Sequence, residues 1–161
     1  IVETEAYMGD MDAAAHSYKG KTGRTNIQYG DGGYAYIYMI YGMYFCMNVV
    51  ANVVDKPEAV LIRALEPIEG NDLMKKRRKT DKLKNLCSGP GKLCQAMAIT
   101  KEQYGLDLCG QHLYLEQPSV DKKIEVVESK RINIDYAGEA KDYLWRYTIK
   151  DSPYISAKIK L

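Results

Sequence analysis

The chain opens on an alternation. Residues 1–7 place Ile1, Glu3, Glu5 and Tyr7 on one side of an extended segment and Val2, Thr4 and Ala6 on the other, which predicts a strand. Residues 34–41 and 43–51 read as two further strands, with "IYGMY" as the turn between them. In the first, Tyr34, Tyr36, Tyr38 and Ile40 share a face, and Ala35, Ile37, Met39 and Tyr41 share the other. Gly42 supplies the backbone freedom of a tight turn, leaving Tyr41 and Met43 at its tip. "AVLIRAL" (Ala59 to Leu65) predicts another strand, with Leu61 and Arg63 on one side. Residues 113–115, 124–134, 143–150 and 154–159 are shorter strand candidates.

Helical signals are fewer. "DMDAAAHS" is alanine-rich and sets Asp12 and His16 four residues apart, one helical turn. "EPIEGNDLMKKRRK" reads as a helix with Asn71 as its cap, and "SGPGKLCQAMAI" as one that starts after Ser88 with Pro90 in the first turn. "YKGKTGRTNIQYGDGG" is a loop with turn signals throughout. Strands lead, helices interleave, and there is no regular βαβ rhythm, repeat or linker. The pattern predicts an α+β fold, a single mixed domain over residues 1–161 around a curved, largely antiparallel β-sheet with a protruding β-hairpin.

Length and composition agree: 161 residues with 46% hydrophobic and 27% charged are enough for one ordinary core. No apolar run nears the roughly 20 residues of a membrane span, and no secretory signal pattern is visible. The net charge of +2 is a weak pointer to an anionic partner, but its distribution says more. "KKRRKTDKLK" (Lys75 to Lys84) holds seven basic residues and one acid, while the chain up to Ala59 holds more acids than bases. That run is either a solvated, disordered loop or a footprint for phosphates. The four cysteines show no paired spacing and the histidines are only His16 and His112, so no zinc or other metal site is expected. Cys46 and Cys94 read as reduced core residues.

Candidate chemistry gathers around tyrosine. Residues 34–44 contain five tyrosines, while the whole chain has one phenylalanine. A buried phenol needs a partner for its hydroxyl, so this density suits a face that stacks and stays wet. Glu3 and Glu5 share a face with Tyr7; they are either solvated or include a general base toward water. Arg63, inside an apolar strand, must pair with Glu3, Glu5 or Glu66 or meet an anion. Tyr38 can offer a ring to a planar ligand, and Tyr41 can act as a wedge or as a local staple. Asn48 is a satisfied core amide or a hydrogen-bonding discriminator of something flat. "GPGKL" lacks the spacing of a nucleotide phosphate loop, although amides at that helix start could grip a phosphate. His16 is a surface partner of Asp12 or a stacking ring.

"IVETEAYMGDMDAAAHSYKGKT", "YAYIYMIYGMYFCMNVV", "VLIRALEPIEG" and "CSGPGKLCQAMAI" closely resemble the alkyladenine (3-methyladenine, or methylpurine) DNA glycosylases. The match covers most of residues 1–100, and "SPYIS" near the end fits as well. The resemblance implies a monofunctional enzyme without cofactors that acts on double-stranded DNA containing a damaged purine, as a monomer, inside the cell with the DNA and without a membrane. It implies Glu5 as general base and Arg63 as the arginine that holds the water. Tyr7 and His16 match residues on one face of the extruded base, and Tyr38 matches the other face. Asn48 and Leu61 match pocket residues, and Tyr41 matches the intercalating tip, with Met43 and Tyr44 flanking it in the groove. Arg24 and Lys92 are candidate phosphate contacts. The sequence departs from the family's pattern in having "TGRTN" for T-P-R-N, in lacking the segment that precedes "IVETEAY", and in a match that thins beyond residue 105. Two rivals rest on the same residues: a non-catalytic nucleic-acid-binding module, and a sugar hydrolase with Glu3 and Glu5 as its carboxylate pair.

Overall fold

A computed structural model describes residues 1–117 and 123–159. Six strands form one sheet: β1 (Glu3–Tyr7), β2 (Ala35–Ile40), β3 (Tyr44–Ala51), β4 (Glu58–Ala64), β5 (Val126–Ser129) and β6 (Arg146–Ile149). Their order is β2-β3-β4-β1-β6-β5, and every neighbouring pair is antiparallel. Among the described residues there are two α-helices, α1 (Asn71–Arg78) and α2 (Pro90–Met97). The α+β class and the antiparallel sheet are those the alternation predicts.

One face of the sheet is core. Ala35, Ile37, Met47 and Ile62 pack there against Leu86, Leu93, Cys94 and Ala96, so α2 lies over β3 and β4. Cys46 and Cys94 are buried and unpaired, as core cysteines. Pro90 opens α2 at the position where a missing amide costs nothing. The opposite face of the same strands carries polar and aromatic side chains. It is covered by the loop after β1 and by the segment between β5 and β6.

Several local expectations change. "DMDAAAHS" forms a short 3-10 turn (Gly9–Met11) and bends instead of a helix. The Asp12 carboxylate accepts from the amides of Met8 (3.2 Å) and Ala14 (3.0 Å), an arrangement that closes turns rather than a helix. Asn71 is the first residue of α1 and not its cap; Gly70, at φ 69°, takes that place. The basic run is ordered. Its first four residues are the last four of α1, where Arg77 donates to Ala96 O (2.9 Å) and Arg78 to Leu86 O (3.1 Å). Residues 113–115 and 154–159 form no strand, and the other two late candidates shrink to β5 and β6.

Candidate active site

A single row of residues crosses the sheet. Tyr36 pairs with Asn48, Asn48 with Leu61, Leu61 with Glu5, Glu5 with Arg146, and Arg146 with Ser129. Directly opposed residues project to the same side, so this row belongs to the face away from the helices. Thr4 pairs with Ile62 but Glu3 with Ala64, which makes Arg63 the extra residue of a bulge. Bulges re-aim side chains. This one turns Arg63 onto both acids.

The two acids are held differently. Glu3 Oε1 accepts from Arg63 Nε (2.9 Å), Arg146 Nε (2.8 Å) and Ser156 Oγ (2.7 Å), and its Oε2 accepts from the Ser156 amide. Burial pushes its pKa up, but the Ser156 amide, the Arg146 and Ser156 side chains and the Arg63 charge outweigh that and hold it below its ordinary value. Four donors enclose Glu3. Glu5, with 0% of its surface exposed, accepts on Oε2 from Tyr7 OH (3.0 Å) and Arg63 Nη1 (3.1 Å), and on Oε1 from the Ile132 amide alone (2.8 Å). A carboxylate has about four acceptor positions, so one remains on Oε1.

Beside Glu5 lies a cavity of about 40 Å³ walled by Tyr7, His16, Gln28, Tyr36, Tyr38 and Asn48, with Ala14, Ala59 and Tyr136 at its margins. Glu5 does not line it; the carboxylate lies behind the Tyr7 hydroxyl that it binds. The His16 ring meets the Tyr38 ring edge-on with centroids 4.5 Å apart, and its Nδ1 is 2.8 Å from the Tyr36 hydroxyl. One side of His16 reaches solvent, but its buried side and then the Arg24 charge lower its pKa to about 4, so the ring is neutral at physiological pH. Burial raises the phenol pKa of Tyr7 and Tyr38, and for Tyr7 the Glu5 charge adds to it. Both stay protonated donors. Asn48 donates to Tyr36 O (3.1 Å), which fixes its amide at the cavity wall. Leu61 is buried between Asn48 and Glu5 and does not line the cavity.

The Asp12–His16 pair expected from their spacing does not form. Asp12 is fully buried and makes a bidentate pair with Arg131, whose Nη2 lies 2.8 Å from Oδ1. The Arg131 guanidinium sits 4.7 Å from the Tyr7 ring centroid and 5.0 Å from that of Trp145. It backs the cavity wall while Ile132, the next residue, holds Glu5.

At the hairpin tip, Tyr41 is 78% and Met43 67% exposed, and Tyr44 is exposed as well. Tyr41 and Gly42 both have positive φ (51° and 67°), as the central pair of a type I′ turn requires. The start of α2 abuts this hairpin: a Cβ on Gly91 would lie 3.1 Å from that of Tyr44. Lys92 therefore stands exposed near the hairpin, whereas Arg24 lies across the cavity with its guanidinium 5.1 Å from the Tyr38 centroid.

Arg131, Ile132, Arg146, Ser156 and Gln28 were not among the sequence candidates. Arg146 in "LWRYTI" carries the signal that singles out Arg63, an arginine within an apolar strand. A backbone amide such as that of Ile132 leaves no such trace.

The methylpurine-DNA glycosylase (MPG) family model matches residues 1–153. A protein of Clostridium novyi named "Putative 3-methyladenine DNA glycosylase" is 56% identical over 98% of this chain and 82% of its own length. Proteins of the same name from Clostridium acetobutylicum and Bacillus cereus are 52% and 48% identical, over 97% and 98% of this chain and 80% and 82% of theirs. The chain belongs to the methylpurine-DNA glycosylase family. The likeness runs well past residue 105, through the segment that supplies Arg131, Ile132 and Arg146.

Proposed function

We propose that this protein is a DNA glycosylase that swings an alkylated purine out of duplex DNA and hydrolyses the bond joining it to deoxyribose, leaving an abasic site. One observation carries this: the buried Glu5 carboxylate has a single unfilled acceptor position and lies directly behind a wall of an aromatic cavity. The names of the relatives support the same reading.

The glycosidic bond is hidden in the duplex, so the nucleotide must leave the stack at a cost of a few kcal/mol. Tyr41, exposed at a stiff turn, takes the vacated space, with Met43 and Tyr44 along the groove. Tyr7 and His16 stack on one side of the base and Tyr38 on the other. Asn48 crowds the 2-amino group of guanine, which turns a neutral guanine away, while the cationic ring of 7-methylguanine stacks strongly enough to offset that crowding; Leu61 supports the pocket from beneath. Oε1 of Glu5 takes a proton from water attacking the sugar, and the carboxylate stabilises the positive charge that grows there. Arg63 keeps that acid oriented. Glu3 takes no part in the chemistry, because Arg63, Arg146 and Ser156 enclose it with four donors and it makes no contact with the Tyr7 wall; this disfavours the carboxylate-pair sugar hydrolase. Arg24, Lys92 and the lysines of "KKRRKTDKLK" contact phosphates.

Alkylation at N3 or N7 makes the purine cationic and its glycosidic bond labile. Aromatic walls favour such rings, so 3-methyladenine and 7-methylguanine are the expected substrates, ahead of neutral hypoxanthine and ethenoadenine. Among the described residues no lysine lines the cavity to form a Schiff base, which supports a monofunctional enzyme. The chain acts as a monomer. Incubation with a duplex carrying one 7-methylguanine, followed by alkali, tests this. Strand cleavage only after alkali is expected; cleavage without alkali, or none at all, contradicts it.

A further inference from the structure

The slot between Tyr38 and its opposing wall is filled by the protein's own side chains. A stacked base needs about 3.5 Å to each neighbouring ring. Here His16 lies 4.5 Å from Tyr38 between centroids, and the Arg24 guanidinium 5.1 Å from the same ring. The space left, about 40 Å³, admits water but no purine. Arg24 Nη2 also lies 3.1 Å from His16 Nε2 and 3.2 Å from Nδ1. Arg24 is exposed, and no carboxylate pairs with it among the described residues. Neutral groups alone hold it: the His16 imidazole, the Tyr36 phenol and the face of Tyr38. That hold is weak and reversible.

A guanidinium is planar, delocalised and cationic, the same properties that an alkylated purine offers to a tyrosine ring. We propose that Arg24 occupies the Tyr38 face in the free protein as a resident competitor of the extruded base, an autoinhibitory contact built into the pocket. Every base that enters must displace it, so the apparent affinity is the intrinsic one reduced by the fraction of molecules with an open slot. The same penalty falls on all bases. It lowers the occupancy of the pocket by every base alike and leaves the ratio between bases unchanged. This rests on the proposed reading of the cavity as the base pocket.

Phosphate-free ligands isolate the effect from any phosphate contact by Arg24. The full chain is titrated with 7-methylguanosine, a cationic nucleoside, and with inosine, a neutral one, as wild type, Arg24→Gln, Arg24→Lys and the same glutamine change combined with Tyr38→Leu. Arg24→Gln is expected to tighten both nucleosides by roughly twofold to fivefold, the size of one exposed cation–π contact. Arg24→Lys should fall between, and the gain should vanish with Tyr38→Leu. Four results overturn the proposal: tightening of the cationic nucleoside alone, which is simple charge repulsion; weaker or unchanged binding; a gain that survives Tyr38→Leu; and no binding by any variant. Excision from a lesion-bearing duplex is scored separately, so failure here is distinguishable from failure of the glycosylase reading.

Discussion

The Tyr7 hydroxyl donates to Glu5 Oε2 over 3.0 Å, so the side chain that walls the cavity also holds the acid behind it. Stacking and acid positioning are therefore joined in one residue. Tyr7→Phe separates them. It keeps the ring and removes one charge-assisted hydrogen bond, worth about 1.5–3 kcal/mol. Steady-state kinetics on a lesion-bearing duplex should show kcat lowered by about tenfold to a hundredfold with KM little changed. Tyr7→Leu should also raise KM.

Tyr41 occupies a turn position that suits asparagine better. Its φ of 51° is strained for a bulky aromatic. Tyr41→Asn should raise stability by up to about 1 kcal/mol in thermal unfolding, since asparagine tolerates the left-handed region. The same change should weaken lesion-duplex binding about tenfold or more, because a base–aromatic stack is worth about 1–3 kcal/mol.

Glu3 links stability to acid pH. Its folded pKa lies below its ordinary value, so the unfolded chain takes up the proton first as pH falls. The stabilisation is complete above the ordinary carboxylate range, around pH 4.5, and is lost as pH drops through the lower folded value. Glu3→Gln should be less stable at neutral pH, with Arg146 and Arg63 left short of a charge, and its profile should be flatter below pH 4.5. Urea unfolding across that range measures both.

Asp12 and Arg131 form a fully buried pair. Asp12→Ala leaves a buried guanidinium uncompensated and should cost about 3–5 kcal/mol in denaturant unfolding. The pair anchors the turn that leads to His16 and stiffens the backing of Tyr7. Activity should fall faster with temperature than in the wild type.

Local alternation was the legible part. It marks β1 to β4, places Glu3, Glu5 and Tyr7 on one face, and singles out Arg63 because an arginine in an apolar strand needs a partner. The hairpin and its exposed tip follow from the tyrosines flanking Gly42. Partners far apart in sequence were not legible. Asp12 has a histidine one turn away and an arginine 119 residues away, and only the fold brings the arginine to it. The alanines of "DMDAAAHS" favour helix, but two amide bonds to the Asp12 carboxylate outweigh that weak preference. The donors that enclose Glu3 include Ser156 and Arg146, so spacing alone could not tell the two glutamates apart.

The most direct test is Glu5→Gln, assayed for both binding and excision on a duplex with a single 7-methylguanine. The amide keeps the size of the side chain but cannot take a proton from water. Lesion binding should persist while the rate of base release falls by about a hundredfold to ten-thousandfold. Release at close to the wild-type rate would contradict the account, since no other unsaturated buried acid stands beside the cavity among the described residues.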